Sequence, residues 1–311
     1  LAEPFVLTAL IIDAAIGWPH WLYVRIGHPV GFFARAISAC ELRLNRNELP
    51  DSTRKAGGVL TVLLLLALAA GSGLLVTALC EKLATEWKWV LIAMLAWPGL
   101  AQRSLDQHFL PVLQSLQAGD LRGARKAAGM IVGRDTASLD VAGVARAAIE
   151  SLAESFCDGV IAPLFWLIVA GLPGLWAMKA INTADSLIGH KEAPYRHFGW
   201  AAARLDDVMN FVPARLSAVL ICLAGLSGWR ITWRYCRHHA SPNAGWPEAA
   251  MAGVLRVRLA GPVSYDGALA DKPWIGEGGV ADANSLMRAR RVYHRACLLG
   301  WAIAGGMTWL H

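Results

Sequence analysis

From Val59 to Leu79 the chain reads VLTVLLLLALAAGSGLLVTAL, a run without one ionisable side chain. A helix needs about 20 apolar residues to cross ~30 Å of hydrocarbon, and inside lipid its backbone N–H and C=O groups must pair within the segment. The run therefore predicts a transmembrane helix, and what packs beside it must be helical too. A positive mean hydropathy and a charged fraction of only 17% in 311 residues agree with an integral membrane protein.

Further apolar stretches occupy 4–18, 89–101, 160–178, 212–229 and 296–310. Each is short, interrupted by proline or carries an ion: Asp13 in the first, Pro98 in the second, Pro163 and Pro173 in the third, Pro213 and Arg215 at the start of the fourth. We read 4–18, 89–101 and 296–310 as spans, and 160–178 and 212–229 as re-entrant or buried helices. The expected fold is all-α: one polytopic membrane-embedded domain over 1–311, with helical segments packed around a polar site. Of 14 Trp, Trp18, Trp21, Trp87, Trp89, Trp229, Trp233 and Trp309 lie at the edges of apolar runs, where an indole suits the headgroup layer. The six Cys are scattered without CxxC pairing, as small apolar fillers are, rather than as a disulfide frame or zinc site. No basic segment precedes the first apolar run, so a cleaved signal peptide is not expected.

The net charge of +6 suits anionic lipid or small anionic substrates. No basic stripe interleaved with aromatics and no nucleic-acid module is present, which argues against nucleic acid as a partner. GxxxxGK[ST] and GxGxxG are both missing, so a bound nucleotide would not use either familiar phosphate loop.

Charged and amide side chains instead crowd among small residues between 133 and 215. Asp140 is set to cap a helix on which Arg146, Glu150, Glu154 and Asp158 recur every four residues and share one stripe. Arg146 and Glu150 can pair, but Glu154 and Asp158 add negative charge beyond that pairing, so a cation is expected on the stripe. Downstream, Lys179, Asn182 and Ser186 fall on one helical face with Asp185 adjacent. Arg204, Asp207 and Asn210 step by three, and Asp206 and Asn210 by four. Asp and Asn oxygens suit Mg²⁺, while Arg134, Lys179, Arg196, Arg204 and Arg215 can hold phosphate or carboxylate oxygens. Outside the stretch, Asp13 and His28 are delivered at helix ends, and Asp120 is placed to cap a helical hairpin over 102–132. The adjacent His238 and His239 project in different directions, which disfavours zinc. These residues alone leave open an enzyme, a small-molecule transporter using Asp13 and the broken runs, and a non-catalytic membrane sensor or scaffold.

Several ordered motifs narrow the choice. GRDT, ARAAIES.AES…DGVIAPLF (to 165), KAINTADSLIGH (179–190), Y..FGWAAARLDD..N..PARL (195–216) and SPNAG.PE.AMAG (241–253), with HPV at 28–30, resemble the adenosylcobinamide-phosphate synthase family of cobalamin biosynthesis, the CobD/CbiB type. The likeness runs nearly end to end; Ser155 stands where the family commonly has Asn. It implies a multi-pass bacterial inner-membrane enzyme, a carbon–nitrogen ligase with its site facing the cytoplasm. Such an enzyme joins a propionate carboxylate of adenosylcobyric acid, a corrinoid, to aminopropanol or its phosphate, with ATP and Mg²⁺. Implied partners are these substrates, the lipid bilayer and other late cobalamin-pathway membrane enzymes. Mapped onto this sequence, Glu150, Glu154, Asp158 and Lys179 are the catalytic candidates. Arg134, Thr136, Asn182, Arg204, Asn210 and Arg215 are the cofactor-binding candidates, and Asp185, Asp206 and Asp207 the metal ligands.

Topology adds a constraint. If all six apolar runs cross, loops 19–58, 102–159 and 230–295 share one side with 22 Lys and Arg, against six in 81–88 and 179–211. The positive-inside rule makes the richer side cytoplasmic, which would strand Lys179–Asp207 on the far side from ATP. We therefore expect 133–215 to face the cytoplasm, with 160–178 and 212–229 entering and returning at Pro163, Pro173-Gly174 and Pro213.

Overall fold

The computed structural model describes residues 4–133, 135–265, 268–270 and 272–309. In chain order its helices are α1 (Pro4–Ile16), α2 (His20–Ile26), α3 (Pro29–Leu44), α4 (Asp51–Cys80), α5 (Thr85–Ala96), α6 (Gln102–Gln117), α7 (Leu121–Ala128), α8 (Val141–Phe156), α9 (Ala162–Ile188), α10 (Tyr195–Phe198), α11 (Trp200–Met209), α12 (Phe211–Gly225), α13 (Trp229–Tyr235), α14 (Gly245–Leu255) and α15 (Ala283–Trp309). The helical class read from the sequence holds. Its one addition is four short strands between α14 and α15: β1 (Leu259–Ala260), β2 (Val263–Tyr265), β3 (Ala268–Ala270) and β4 (Trp274–Ile275), paired antiparallel as β1 with β4 and β2 with β3.

Local chemistry sets the helix ends. Asp120 Oδ1 accepts the Gly123 N–H at 2.8 Å and Asp140 Oδ1 the Gly143 N–H at 2.7 Å, the two caps expected for α7 and α8. The breaks expected at Pro163 and Pro173-Gly174 take other forms. Before Pro163 a π-turn at Cys157–Ile161 widens the helix, which relieves the clash of the proline ring with the preceding turn. Before Pro173 the chain leaves helical geometry at Ala170 (φ −134, ψ 16) and Gly171 (φ 61, ψ −154). Proline cannot bond back to the carbonyl four residues earlier, and Gly171 supplies the positive φ that other residues resist.

Two stretches, Asp51–Cys80 and Val141–Ile188, are long and apolar enough to cross a membrane. Two bent pairs reach that standard only together: Pro4–Ile16 with His20–Leu44, bent by 104°, and Trp200–Met209 with Phe211–Gly225, bent by 47°. The 12 residues of α5 make a helix of about 18 Å, short of the hydrocarbon thickness, and it ends in a 3₁₀ turn at Trp97–Gly99.

The chain packs as two compact units, each discontinuous in sequence: Leu1–Ala101 with Ala162–Asn210 and Ile303–His311, and Gln102–Ile161 with Phe211–Ala302. In the first, α4 turns a stripe of small residues, Gly57, Gly58, Thr61, Ala69 and Gly73, inward. A Cβ on Gly73 would sit 2.8 Å from Pro173 Cα, so α4 and α9 meet backbone to backbone. The other face of α4 presents Leu63, Leu74 and Leu75, 57%, 61% and 62% exposed. A leucine face of this kind is ordinary against lipid and costly against water. Among the edge tryptophans, Trp21, Trp87, Trp229 and Trp233 are exposed as headgroup anchors would be. Trp18 instead packs on His28 and Trp97, and the side chain of Trp309 lies outside the described residues. None of the six cysteines forms a disulfide, and five are buried.

The second unit closes around Phe109, Ile149, Phe156, Ile221, Met251 and Tyr293. Its polar lock joins α6 to α15. Asp106 accepts Arg290 Nε at 2.7 Å and Nη2 at 2.8 Å, with His294 Nε2 at 2.9 Å. Tyr293 OH donates to the Gln102 carbonyl at 2.6 Å. Burial alone would raise the Asp106 pKa, but the hydrogen bonds and charges of His294 and Arg290 outweigh it and hold the carboxyl well below the usual carboxylate range. A depressed folded pKa means stability present in full above the unfolded value of 3.8 and lost as pH falls toward the folded value. Asp106→Asn is therefore expected to lower the thermal midpoint at pH 7 in detergent, and the gap to the unsubstituted protein should narrow below about pH 4. A gap independent of pH between 7 and 3 would rule out the ionic lock.

Candidate functional site

In the first unit, the expected polar residues meet where α9 ends and α11 begins. Lys179, Asn182 and Asp185 lie on the segment of α9 after its break, and α11 packs against that segment and α4. Asp206 projects from α11 toward it, its Oδ1 accepting Asn182 Nδ2 at 3.3 Å and its Oδ2 accepting Asn210 Nδ2 at 3.0 Å. The Asn210 side chain is buried, 2% exposed, at the end of α11. Both lie outside the two stretches, 51–80 and 141–188, that can cross a membrane unaided. Burial, and next the neighbouring Asp185 charge, push the Asp206 carboxyl up to about 7. The two amide donors pull the other way but do not offset it. Asp207 turns aside to Arg204, whose Nη1 is 3.5 Å from its Oδ2.

Among the described residues, no three His, Cys, Asp or Glu side chains converge on one metal position. Asp185, Asp206 and Asp207 thus do not form a closed cage. Two neighbouring carboxylates with amide groups beside them fit Mg²⁺, which is bound by one or two carboxylates and completes its shell with water and substrate phosphate. His28 belongs to this neighbourhood as well. Burial, then the charge of Lys179, pull its pKa down to about 4, so it stands neutral beside that ammonium, and its Nδ1 accepts the Val30 N–H at 3.2 Å at the start of α3.

The second unit holds the remaining candidates. The α8 stripe is present, with Arg146 Nε 3.9 Å from Glu150 Oε1. That same Glu150 oxygen accepts the Ala260 N–H of β1 at 2.7 Å, so this carboxylate anchors the ribbon, while Glu154 is exposed and Asp158 half-buried. Arg146 and Arg258 both lie over the Trp274 ring of β4, at 5.0 and 5.1 Å. The Thr136 hydroxyl donates to the Arg125 carbonyl at 2.8 Å and ties its loop to α7. Arg215 bonds Asn243 Oδ1 at 2.9 Å. Arg134 lies outside the described residues. His238 and His239 diverge as expected, the first to the Trp274 carbonyl at 3.2 Å and the second toward Glu248 at 3.8 Å. The Gly-rich GEGG segment is explained by packing: a Cβ on Gly276 would lie 2.7 Å from that of Ala252, and Glu277 binds Arg230 and Arg234.

A cavity of about 240 Å³ opens between α6 and α8, lined by Ser104, His108, Met130, Ser151 and Ser155 among others. Among the described residues, no lysine or arginine lines it. Sequence reasoning missed the closeness of His28 to Lys179 and the partners of Arg215 and Trp274. The SPNAG.PE motif marked the second of these regions without naming what its residues do.

The fold and these clusters define a helical protein with helices long and apolar enough to cross a membrane and a cluster of charged and amide side chains in each of its two units. A family profile described as CobD/Cbib protein matches residues 6–293. Curated relatives named cobalamin biosynthesis protein CobD include one from Rhodobacter capsulatus, 48% identical over 97% of this chain and 96% of its own length. Another, from a Sinorhizobium species, is 47% identical over 96% of both chains. A third, from Brucella suis biovar 1, is 43% identical over 97% of this chain and 93% of its own. No solved structure matches. The chain belongs to the CobD/CbiB family of cobalamin biosynthesis.

The placement of Asp206 has a consequence for stability. If its charge is gathered for function, Asp206→Asn should leave the thermal midpoint unchanged or raised in metal-free detergent solution, because it removes like-charge repulsion and burial of an ion. Asn182→Ala should lower stability by about 1–3 kcal/mol by removing one of the amides that satisfy the carboxylate. Equal losses in both variants would make Asp206 a purely structural hydrogen-bond acceptor.

Proposed function

We propose that this protein is the amide-forming enzyme of its family, joining a propionate carboxylate of adenosylcobyric acid to the amine of 1-amino-2-propanol or its O-phosphate, with ATP. The observation that carries the reading is the family match across almost the whole chain, joined to the Asp206–Asn182–Asn210 cluster beside Lys179 and Asp185.

A carboxylate does not condense with an amine at neutral pH without activation. In the proposed sequence a carboxylate oxygen takes the γ-phosphoryl group and ADP leaves. The amine nitrogen then attacks the acyl carbon, the bond from that carbon to the phosphate oxygen breaks, phosphate departs, and the proton lost by nitrogen passes to a base. Lys179 and Arg204 are suited to hold the phosphate oxygens, and Asp185 and Asp206, with Asp207 through water, to hold Mg²⁺. When bound, the ion would neutralise charge on the transferring phosphoryl group. On α8 of the second unit, Glu150 positions the β1–β4 ribbon. His28, kept neutral, leaves Lys179 as the local cation.

Purified protein with ATP, Mg²⁺, adenosylcobyric acid and aminopropanol phosphate should yield adenosylcobinamide phosphate by mass spectrometry. Asp206→Asn and Arg204→Ala should each lower turnover roughly 10–100-fold, as losing one charged hydrogen-bond partner does. The Asp206 variant should also need more Mg²⁺. Folded protein that makes no product where a working homologue does would sink the reaction; full turnover of both variants at limiting and saturating Mg²⁺ would sink the residue roles.

The orientation that goes with this activity puts the polar residues of 133–215 on the cytoplasmic side of the inner membrane, where ATP is, with the apolar stretch 141–188 turning back at its break at Ala170–Gly171 rather than crossing. Ala193 is exposed in the α9–α10 loop. Ala193→Cys on a cysteine-free background should stay protected from an impermeant maleimide in intact spheroplasts and react after lysis. Labelling before lysis would refute the arrangement.

A further inference from the structure

Arg215 lies in the first turns of α12, its guanidinium carbon 3.7 Å from the Phe211 ring centroid and 4.9 Å from that of Trp246. Its Nη1 donates to Asn243 Oδ1 at 2.9 Å and to the Phe211 carbonyl at 2.6 Å. Asn243 is only 6% exposed, and the loop that carries it is fixed in turn. The N–H groups of Asn243 and Ala244 donate to Ser241 Oγ at 3.2 and 3.3 Å. Trp246 packs edge-on against Trp233, ring centres 5.9 Å apart. Two rings and one buried amide therefore hold a guanidinium that would otherwise sample many rotamers.

Among the described residues Arg215 has no carboxylate in ion-pair reach, and the titratable neighbours that bear on it are the thiols of Cys236 and Cys157. Its Nε and Nη2, the edge that grips an oxyanion through two parallel bonds, are not used in the fold. An immobilised, half-buried cation with a spare bidentate edge and no counterion is built for an anion from outside the chain.

We infer that Arg215, held by Asn243, Phe211 and Trp246, is a binding site for a phosphate group. Its use in catalysis rests on the amide-forming reading, but the binding does not. The shared chemistry is that of a phosphomonoester or a nucleotide, and the experiment separates the two.

The full chain in detergent would be titrated calorimetrically at constant ionic strength with inorganic phosphate, 1-amino-2-propanol O-phosphate, ATP and, as a carboxylate control, acetate. Phosphate-bearing ligands should bind, and Arg215→Gln should weaken at least one of them tenfold or more. Arg215→Lys, which keeps the charge but loses the fork, should recover only part of the affinity. An effect confined to the phosphorylated amino alcohol would assign the site to the amine substrate, and one confined to ATP would assign it to the nucleotide. Should Arg215→Gln not fold, Asn243→Ser and Trp246→Leu, which free the guanidinium without removing it, should each weaken the same ligand. Folded variants with unchanged affinity for every ligand, or unsubstituted protein that binds none of them, would overturn the site. Phosphate binding that depends on Arg215 in a protein without turnover would leave the site standing and reject the reaction. Turnover with unaltered KM in Arg215→Gln would do the reverse.

Discussion

The polar cluster of the first unit depends on how closely two backbones can approach. Where Gly73 of α4 faces Pro173 of α9 there is no room for a Cβ. That contact fixes α9 just after its break at Gly171. From there the helix runs on for about four turns, and the residues it carries, Lys179, Asn182 and Asp185, inherit their positions from it. The same economy of side chains recurs at Gly199, where an added Cβ would collide with the Ile188 carbonyl. It sets the start of α11 against the end of α9 and so brings Asp206 to Asn182. Dispersion between small residues, rather than hydrophobic burial, would hold together helices that, like α4, turn a leucine face outward if that face meets lipid.

Much of this was legible in the sequence because the signals were periodic or local. The uncharged run at 59–79 is the C-terminal two-thirds of α4, the caps at Asp120 and Asp140 act on the predicted helices, and the four-residue step from Asp206 to Asn210 is a hydrogen bond of 3.0 Å. What escaped was set by contacts far apart in sequence. Spacing assigned Glu150 to the acidic stripe, but a backbone N–H 110 residues away claims one of its oxygens. His28 and Lys179 come together only because α3 and α9 pack in one unit. The proline breaks were seen, but not the residues that form them. A proline marks the helix that must yield, whereas the residue that yields is the nearest one tolerant of unusual angles, Gly171 at one site and the π-turn at the other.

Charges in this protein fall into two kinds, and the distinction separates scaffold from chemistry. Asp106 with Arg290 and His294, and Glu277 with Arg230 and Arg234, are complementary groups in bonding contact. Each set is satisfied internally and gives the chain nothing further to bind. Asp206 beside Asp185, and Arg215 with no acid near it among the described residues, are the opposite: like charges together, or one charge held rigid without a countercharge there. Folding alone would select against both, since partly buried charge that is not neutralised is destabilising.

The signs of these two departures carry the argument further. In the first unit an acidic pair in poor solvation attracts a cation, and in the second a fixed guanidinium attracts an oxyanion; neither cluster is a glycine-rich phosphate loop. Such loops bind phosphate through backbone N–H groups at a helix start, an arrangement that needs exposed, unpaired amides. In a protein whose helices are largely apolar and closely packed, side-chain charge held by aromatic rings and buried amides is the arrangement that leaves the backbone fully bonded. The missing nucleotide motifs and the odd placement of Arg215 and Asp206 then have one physical cause.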